Sequence, residues 1–135
     1  MIYRVLEITE KFQQDCSKVV NSAVGNANAS RFALQEWLNK YGFVMFVAKE
    51  NNNISGFILG HQNYDMGCLQ SLFVDKKCQR QGIGTALLKA YEEYCVGRGV
   101  NRIVFLPPAS EQAKQFCLKN GYLMISMGRL FRKIL

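Results

Sequence analysis

The sequence predicts a single α/β domain, residues 1–135, on one mixed, mostly antiparallel sheet flanked by helices, in the order β-α-α-β-β-β-α-β-α-β-β. Three observations predict it. Three β-rich runs, FVMFVAKE, ISGFILGH and CLQSLFVD, follow one another, turned by ENNNISG and by YDMG. A strongly amphipathic helical pattern over 82–96 lies between the strands LQSLFVD and RIVFLP, which makes a βαβ unit with a parallel, right-handed crossover. The length of 135 residues suits one core, burying roughly two-thirds of the unfolded surface.

In order along the chain, IYRVLEI alternates as a strand, and Thr9 stands where a helix cap belongs. Phe12, Cys16, Val19 and Val20 recur at helical spacing. The small, polar stretch 21–30 reads as a loop, and Phe32, Leu34, Trp37 and Leu38 mark a second helix ending near Gly42. The hairpins of the three β-rich runs come next. On the helix over 82–96, Ile83, Leu87, Leu88, Tyr91, Tyr94 and Cys95 share one side. RIVFLP is a strand, Ala109–Asn120 a short helix closed by Gly121, and YLMISM and RLFRKIL two final strands. The second of these reads as a basic edge strand that discourages aggregation, or as an edge open to a second copy, so monomer and homodimer both stay open.

Composition excludes several classes. Apolar residues are 49% and charged residues 20%, which rules out wholesale disorder. The longest apolar run, Phe43–Ala48, is far short of the ~20 residues that span a bilayer, so no membrane role is expected. Glu7 and Glu10 break any signal-peptide core at the N-terminus. Five cysteines without a CxxC pair read as reduced thiols of a cytoplasmic protein, with no metal site. Residues 1–67 hold six Lys/Arg and six Asp/Glu, whereas residues 68–135 hold eleven against four. The whole net charge of +7 therefore sits in the second half and points to an anionic ligand or partner there.

That ligand has a place to bind. Gln79-Arg80-Gln81-Gly82-Ile83-Gly84-Thr85 joins a strand to the long helix, and two glycines one residue apart allow a tight turn and close backbone approach. The first amides of a helix lack internal partners and carry partial positive charge, so a diphosphate suits them. Lys76, Lys77 and Arg80 crowd the same turn. Tight helix packing is the competing explanation for the glycines. A nucleoside-triphosphate loop is not, because the Gly-Lys-Ser/Thr ending is missing.

Gln79, Gly82 and Gly84 match the Q/R-x-x-G-x-G/A signature of the GCN5-related N-acetyltransferases (GNAT), and LFVD resembles the strand leading into it. Ser110, Ala113, Phe116, Gly121 and Tyr122 match loosely the family's second motif. The resemblance implies a GNAT-like fold with acetyl-CoA in a cleft between CLQSLFVD and RIVFLP. It implies that the amides of Gln79, Arg80, Gln81, Gly82, Ile83, Gly84 and Thr85 hold the pyrophosphate. Backbone groups of Leu72, Phe73 and Val74 would hold the pantetheine arm, with Ser110 and Phe116 contributing to the same site. Acetyl would pass directly to a primary amine of a small molecule, a protein N-terminus or a lysine.

The sequence departs from the family in two places. Cys117 stands where a tyrosine general acid is common, and reads either as a packed thiol or as a donor near the CoA sulfur. Gln70 replaces a glutamate of the fourth strand and cannot act as a base. A base must then come from elsewhere or through water. His61, the one histidine, titrates in the useful range and is a candidate, its competing reading being a surface residue at a strand end. Asp65, in a turn, is second. The charge excess supports an alternative, a toxin-like enzyme acting on aminoacyl-tRNA. The two missing side chains support another, a CoA-binding module without transfer.

Overall fold

The computed structural model describes residues 1–24, 38–39, 42–107, 110–126 and 130–135. Their elements are β1 (Ile2–Arg4), α1 (Glu10–Val24), β2 (Phe43–Glu50), β3 (Asn53–Asn63), β4 (Met66–Val74), a 3-10 turn (Lys76–Cys78), α2 (Ile83–Gly97), β5 (Arg102–Phe105), α3 (Glu111–Lys119), β6 (Leu123–Ser126) and β7 (Leu130–Ile134). The second helix expected around Phe32–Leu38 falls almost wholly outside these residues. The seven strands form one sheet in the order β1-β2-β3-β4-β5-β7-β6. Every neighbouring pair is antiparallel except β4–β5, which the α2 crossover makes parallel.

Local chemistry explains the turns. Asn51 and Asn52 both adopt positive φ, 51° and 68°, in the two-residue link between Glu50 and Asn53. Asparagine tolerates that region, and the mirror-type turn it makes suits the twist of a hairpin. Thr9 accepts the Phe12 N–H at 3.1 Å and so starts α1. Ser110 does the same for Ala113 at the head of α3.

Alternation then divides the core. Val44, Ala48 and Ile58 face α2, packing on Leu87, Leu88, Tyr91 and Cys95. Met45, Val47, Phe57 and Leu59 face the other way, onto Cys16, Val19 and Val20 of α1. A strand repeat of two and helix repeats near 3.6 produce both faces from one sheet.

Two expectations need correction. The loop expected from Asn21 begins later, because α1 runs on to Val24. Its last turn finds polar partners just beyond the C-terminal end of β4, described below. The final strand is also not an edge: β7 pairs with β5 on one side and β6 on the other. The edge is β6, where Leu123, Met124 and Ile125 are exposed. Lys133 is equally unlike a solvated tail residue. Its Nζ donates to Glu92 Oε1 at 3.1 Å, while Glu92 Oε2 accepts from the buried Tyr122 hydroxyl at 2.8 Å. That cluster ties α2 to the C-terminal strands.

Tyr91, at 1% exposure, fixes how closely α2 sits on the sheet. A Cβ on Gly60 would lie 2.5 Å from its ring and hydroxyl, so only glycine fits beneath it. Gly60→Ala should therefore destabilise the protein by about 1–3 kcal/mol, the usual cost of overpacking a well-filled core. Urea unfolding would measure this, and an unchanged midpoint would show that α2 can lift without cost.

Candidate active site

β4 and β5 separate. Their parallel pairing covers Met66–Leu69 against Arg102–Phe105 and stops there, while β4 continues to Val74. The separation begins at a bulge. On β3, Leu59 pairs with Ser71 and the next residue, Gly60, with Leu69, so Gln70 is the extra residue. A bulge bends and twists its own strand, which turns the end of β4 away from β5.

Beyond the bulge the backbone of β4 points alternately to β3 and into the gap. The Asp75 N–H donates to Ser55 O at 2.8 Å, so Asp75 and Phe73 face β3. Leu72 and Val74 therefore direct their N–H and C=O groups to the open side. Of the three residues expected to hold an extended arm by their backbone, two face the gap and Phe73 does not.

The gap ends on the glycine turn. Arg80 and Gly82 both have positive φ, 65° and 81°. No acceptor is recorded, among the described residues, for the amides of Arg80, Gln81, Gly82, Ile83, Gly84 or Thr85; the first helical bond runs from Ala86 N–H to Gly82 O, at 2.9 Å. The two glycines do different work. A Cβ on Gly82 would meet nothing within 4 Å, so its need is the left-handed backbone. A Cβ on Gly84 would lie 3.2 Å from Phe116 Cε1 and 3.7 Å from Val74 Cγ2, so its need is close packing against α3. Backbone geometry thus accounts for Gly82 and tight packing for Gly84. With unbonded amides and the Lys76, Lys77 and Arg80 side chains nearby in sequence, the turn fits a diphosphate.

The remaining expected residues divide. Gln79 turns its side chain inward, donating from Nε2 to Val74 O at 3.1 Å, so it fastens the turn to β4. Ser110 spends its hydroxyl on the α3 cap. Phe116 is half-buried against Gly84. Cys117 lies on the inner face of α3 in the main core, 1% exposed, and burial pushes its thiol up to about 11.

His61 lies on β3 opposite Cys68, one pair before the bulge. Its ring stacks on Phe43, with centroids 4.8 Å apart and planes at 15°. Nδ1 is buried with no hydrogen-bond partner among the described residues, and desolvation lowers the imidazole below its ordinary value. Asp65, by contrast, is committed. It is ion-paired with Arg102 at 3.2 Å. Desolvation acts to raise its carboxyl, but the Arg102 charge and hydrogen bonds from Arg102 and Asn101 outweigh it and hold the group below the usual range. Gln70, whose place at the bulge no periodicity in the sequence reveals, is exposed at the mouth of the gap.

Comparison with known proteins bears on this geometry. Residues 5–122 match the family described as Acetyltransferase (GNAT) family. A curated relative, an uncharacterized N-acetyltransferase of Methanocaldococcus jannaschii, is 37% identical over 84 residues, covering 61% of this chain and 54% of that protein. The match thus spans only about half the length of that relative. Among solved structures, a GNAT-family acetyltransferase of Staphylococcus aureus Mu50 superposes with a TM-score of 0.83 at 21% identity, covering 100% of this chain and 99% of the other. An aminoglycoside 6'-N-acetyltransferase complexed with coenzyme A gives 0.83 at 17% identity, covering 99% and 96%. At these identities the likeness is one of fold.

The His61 environment has a measurable sign. Its folded-state pKa lies below the ordinary 6.5, so folding favours the neutral ring. The stability this contributes is present above the unfolded value and declines as pH falls through it. The urea midpoint of the wild type should drop below about pH 6.5 more steeply than that of His61→Gln. Parallel curves for the two proteins would contradict the desolvated ring.

Proposed function

The chain belongs to the GNAT acetyltransferase family, and from that premise we propose that it is an acetyl-CoA-dependent N-acetyltransferase acting on a primary amine, and that it works in the cytoplasm. One observation carries the reading: the parallel register ends at Leu69, and the gap it opens leads along the backbone groups of Leu72 and the N–H of Val74 into six amides without an acceptor among the described residues. An extended ligand with a diphosphate at one end matches that path. Acetyl-CoA, when bound, supplies the activated acyl group as a thioester.

The chain's own residues bind and orient. Amides 80–85 take the diphosphate, and the basic side chains of Lys76, Lys77 and Arg80 add attraction that salt weakens. Leu72 holds the arm by its backbone N–H and C=O and Val74 by its N–H, since the Val74 carbonyl accepts from Gln79, much as a sheet edge holds a strand. The N–H groups of this stretch are also the donors available to polarise a carbonyl oxygen in the gap. Holding amine and acyl group together provides most of the acceleration, since neither usual acid–base side chain is present.

For proton removal we assign His61. It is neutral at pH 7, has a nitrogen without a partner, and sits one residue pair from the bulge. Cys117 fits this chemistry less well than it fits the core. Proton transfer from a thiol held at about 11 to a departing thiolate whose conjugate acid has an ordinary pKa of ~8.5 runs uphill. We therefore assign reprotonation of the leaving group to solvent. The acceptor's identity is set by surfaces that the fold does not dictate.

Calorimetric titration of acetyl-CoA and of CoA into the reduced protein tests the site. Saturable binding is expected, weakened about tenfold or more in Gly84→Glu, whose side chain meets Phe116 and repels phosphate. No heat at millimolar ligand would refute the reading. Thiol release with a panel of amines then tests transfer. Its pH profile should show an acid limb below about pH 6.5 in wild type that is missing in His61→Asn. An identical limb in both proteins would remove His61 from the reaction.

A further inference from the structure

α1 and the phosphate turn are 53 residues apart in sequence, yet Ser22 Oγ donates to Asp75 Oδ1 at 3.1 Å. The same hydroxyl accepts the Lys76 N–H at 3.0 Å. Asp75 is in turn a junction. Its Oδ1 also accepts the Lys77 N–H at 3.1 Å, its N–H donates to Ser55 O at 2.8 Å, and its carbonyl accepts the Cys78 N–H at 2.8 Å. It caps the short Lys76–Cys78 helix from which the chain enters Gln79–Thr85.

We propose that Ser22 is a positioning residue for the cofactor turn, latching the last turn of α1 to it so that binding of CoA and the ordering of α1 are thermodynamically coupled. This deepens the acetyl-CoA reading and rests on it. The apolar side chains of α1, Cys16, Val19 and Val20, hold the middle of the helix against β2 and β3 through non-directional contacts. Those contacts leave the last turn free to shift along the sheet. The hydroxyl of Ser22 meets one donor and one acceptor in fixed positions, which is a directional constraint.

The latch has chemical logic on the turn side as well. A diphosphate drawn onto amides 80–85 pulls on a chain whose upstream anchor is the Lys76–Cys78 turn. That turn stays in place because Asp75 caps it, and Asp75 stays in place because Ser22 and Ser55 hold it from two sides. Removing the hydroxyl leaves the Lys76 N–H and one lobe of Asp75 Oδ1 to water, and the turn loses its preorganised shape. By linkage, whatever the latch adds to CoA affinity, CoA adds to the stability of the α1 end. The helix that extends past Asn21 to Val24 is the visible trace of this tie.

Hydrogen–deuterium exchange and calorimetry on the same proteins, with CoA as the probe, decide the matter. In wild type, CoA should slow exchange of the amides of residues 18–24 together with those of the turn. Ser22→Ala places a good helix former in α1 and so keeps the fold, which circular dichroism checks. It should bind CoA about tenfold more weakly and lose the slowing in α1 while keeping it in the turn. Ser22→Thr, which retains the hydroxyl, should restore both. Ser22→Ala and Asp75→Ala should also be non-additive, the double variant binding hardly more weakly than the worse single one. Equal CoA affinity in wild type and Ser22→Ala, α1 exchange indifferent to CoA in wild type, or strict additivity would each overturn the latch while leaving the acetyl-CoA site standing. Failure of the wild type to bind CoA would overturn both.

Discussion

β4 and β5 are parallel neighbours for four residue pairs and then part company. Nearly everything that matters about this protein follows from where that pairing stops. Parallel strands need a crossover, and the crossover here is α2, whose N-terminus must arrive where β4 ends. The extra residue at Gln70 bends β4 before it gets there, so the helix start faces a gap rather than a strand. Backbone groups left over by a sheet and by a helix terminus are thereby collected in one place. An unpaired buried amide is costly, and the stable solution is to leave these groups accessible to a ligand that needs them.

Holding that gap open requires rigid walls, and the walls are held by close contacts. Tyr91 rests on Gly60 and sets the height of α2. Phe116 rests on Gly84 and sets the position of α3. The Glu92 carboxylate gathers Tyr122 and Lys133, joining the crossover helix to the far strands. With 14% exposure on the glutamate side, this pair is better shielded from water than an ordinary surface bridge, so leaving either partner alone would cost more than the pair itself contributes. The opposite side of the sheet has its own polar anchor where Ser22 meets Asp75. Apolar burial supplies the bulk of the stability on both faces, while these few directional contacts set where the elements sit.

Much of this was legible before any coordinates. An unbroken apolar, β-rich run marks β2, as a strand buried on both faces requires, and its residues Val44 and Met45 divide between those faces. The glycine turn was legible as a tight turn into a helix, of the kind a diphosphate suits, because two glycines one residue apart stand among basic residues. Three features were not. The bulge leaves no mark in the pattern, since Gln70 sits among residues that alternate acceptably without it. The order β5-β7-β6 is a choice of long-range partner, which two short strands of similar propensity do not encode locally. Gln79 looked like a ligand-facing motif residue, yet its amide bonds Val74, because a side chain's direction depends on neighbours remote in sequence.

The sequence by itself determined the types of the described strands and helices, the hairpin turns at Asn51 and Asn52, the glycine turn and the family. Each depends on interactions between residues within a few positions of one another, or on a local motif. Tertiary structure alone decided the protonation environments and the partners. His61 became a desolvated ring on Phe43, Cys117 a core thiol, and Asp65 one half of an ion pair with Arg102. Ser22, in a stretch that reads as loop, became the contact between α1 and the Lys76–Cys78 turn. Burial and pairing are set by what the fold brings together across tens of residues, and electrostatic energies depend on that distance and dielectric rather than on residue type.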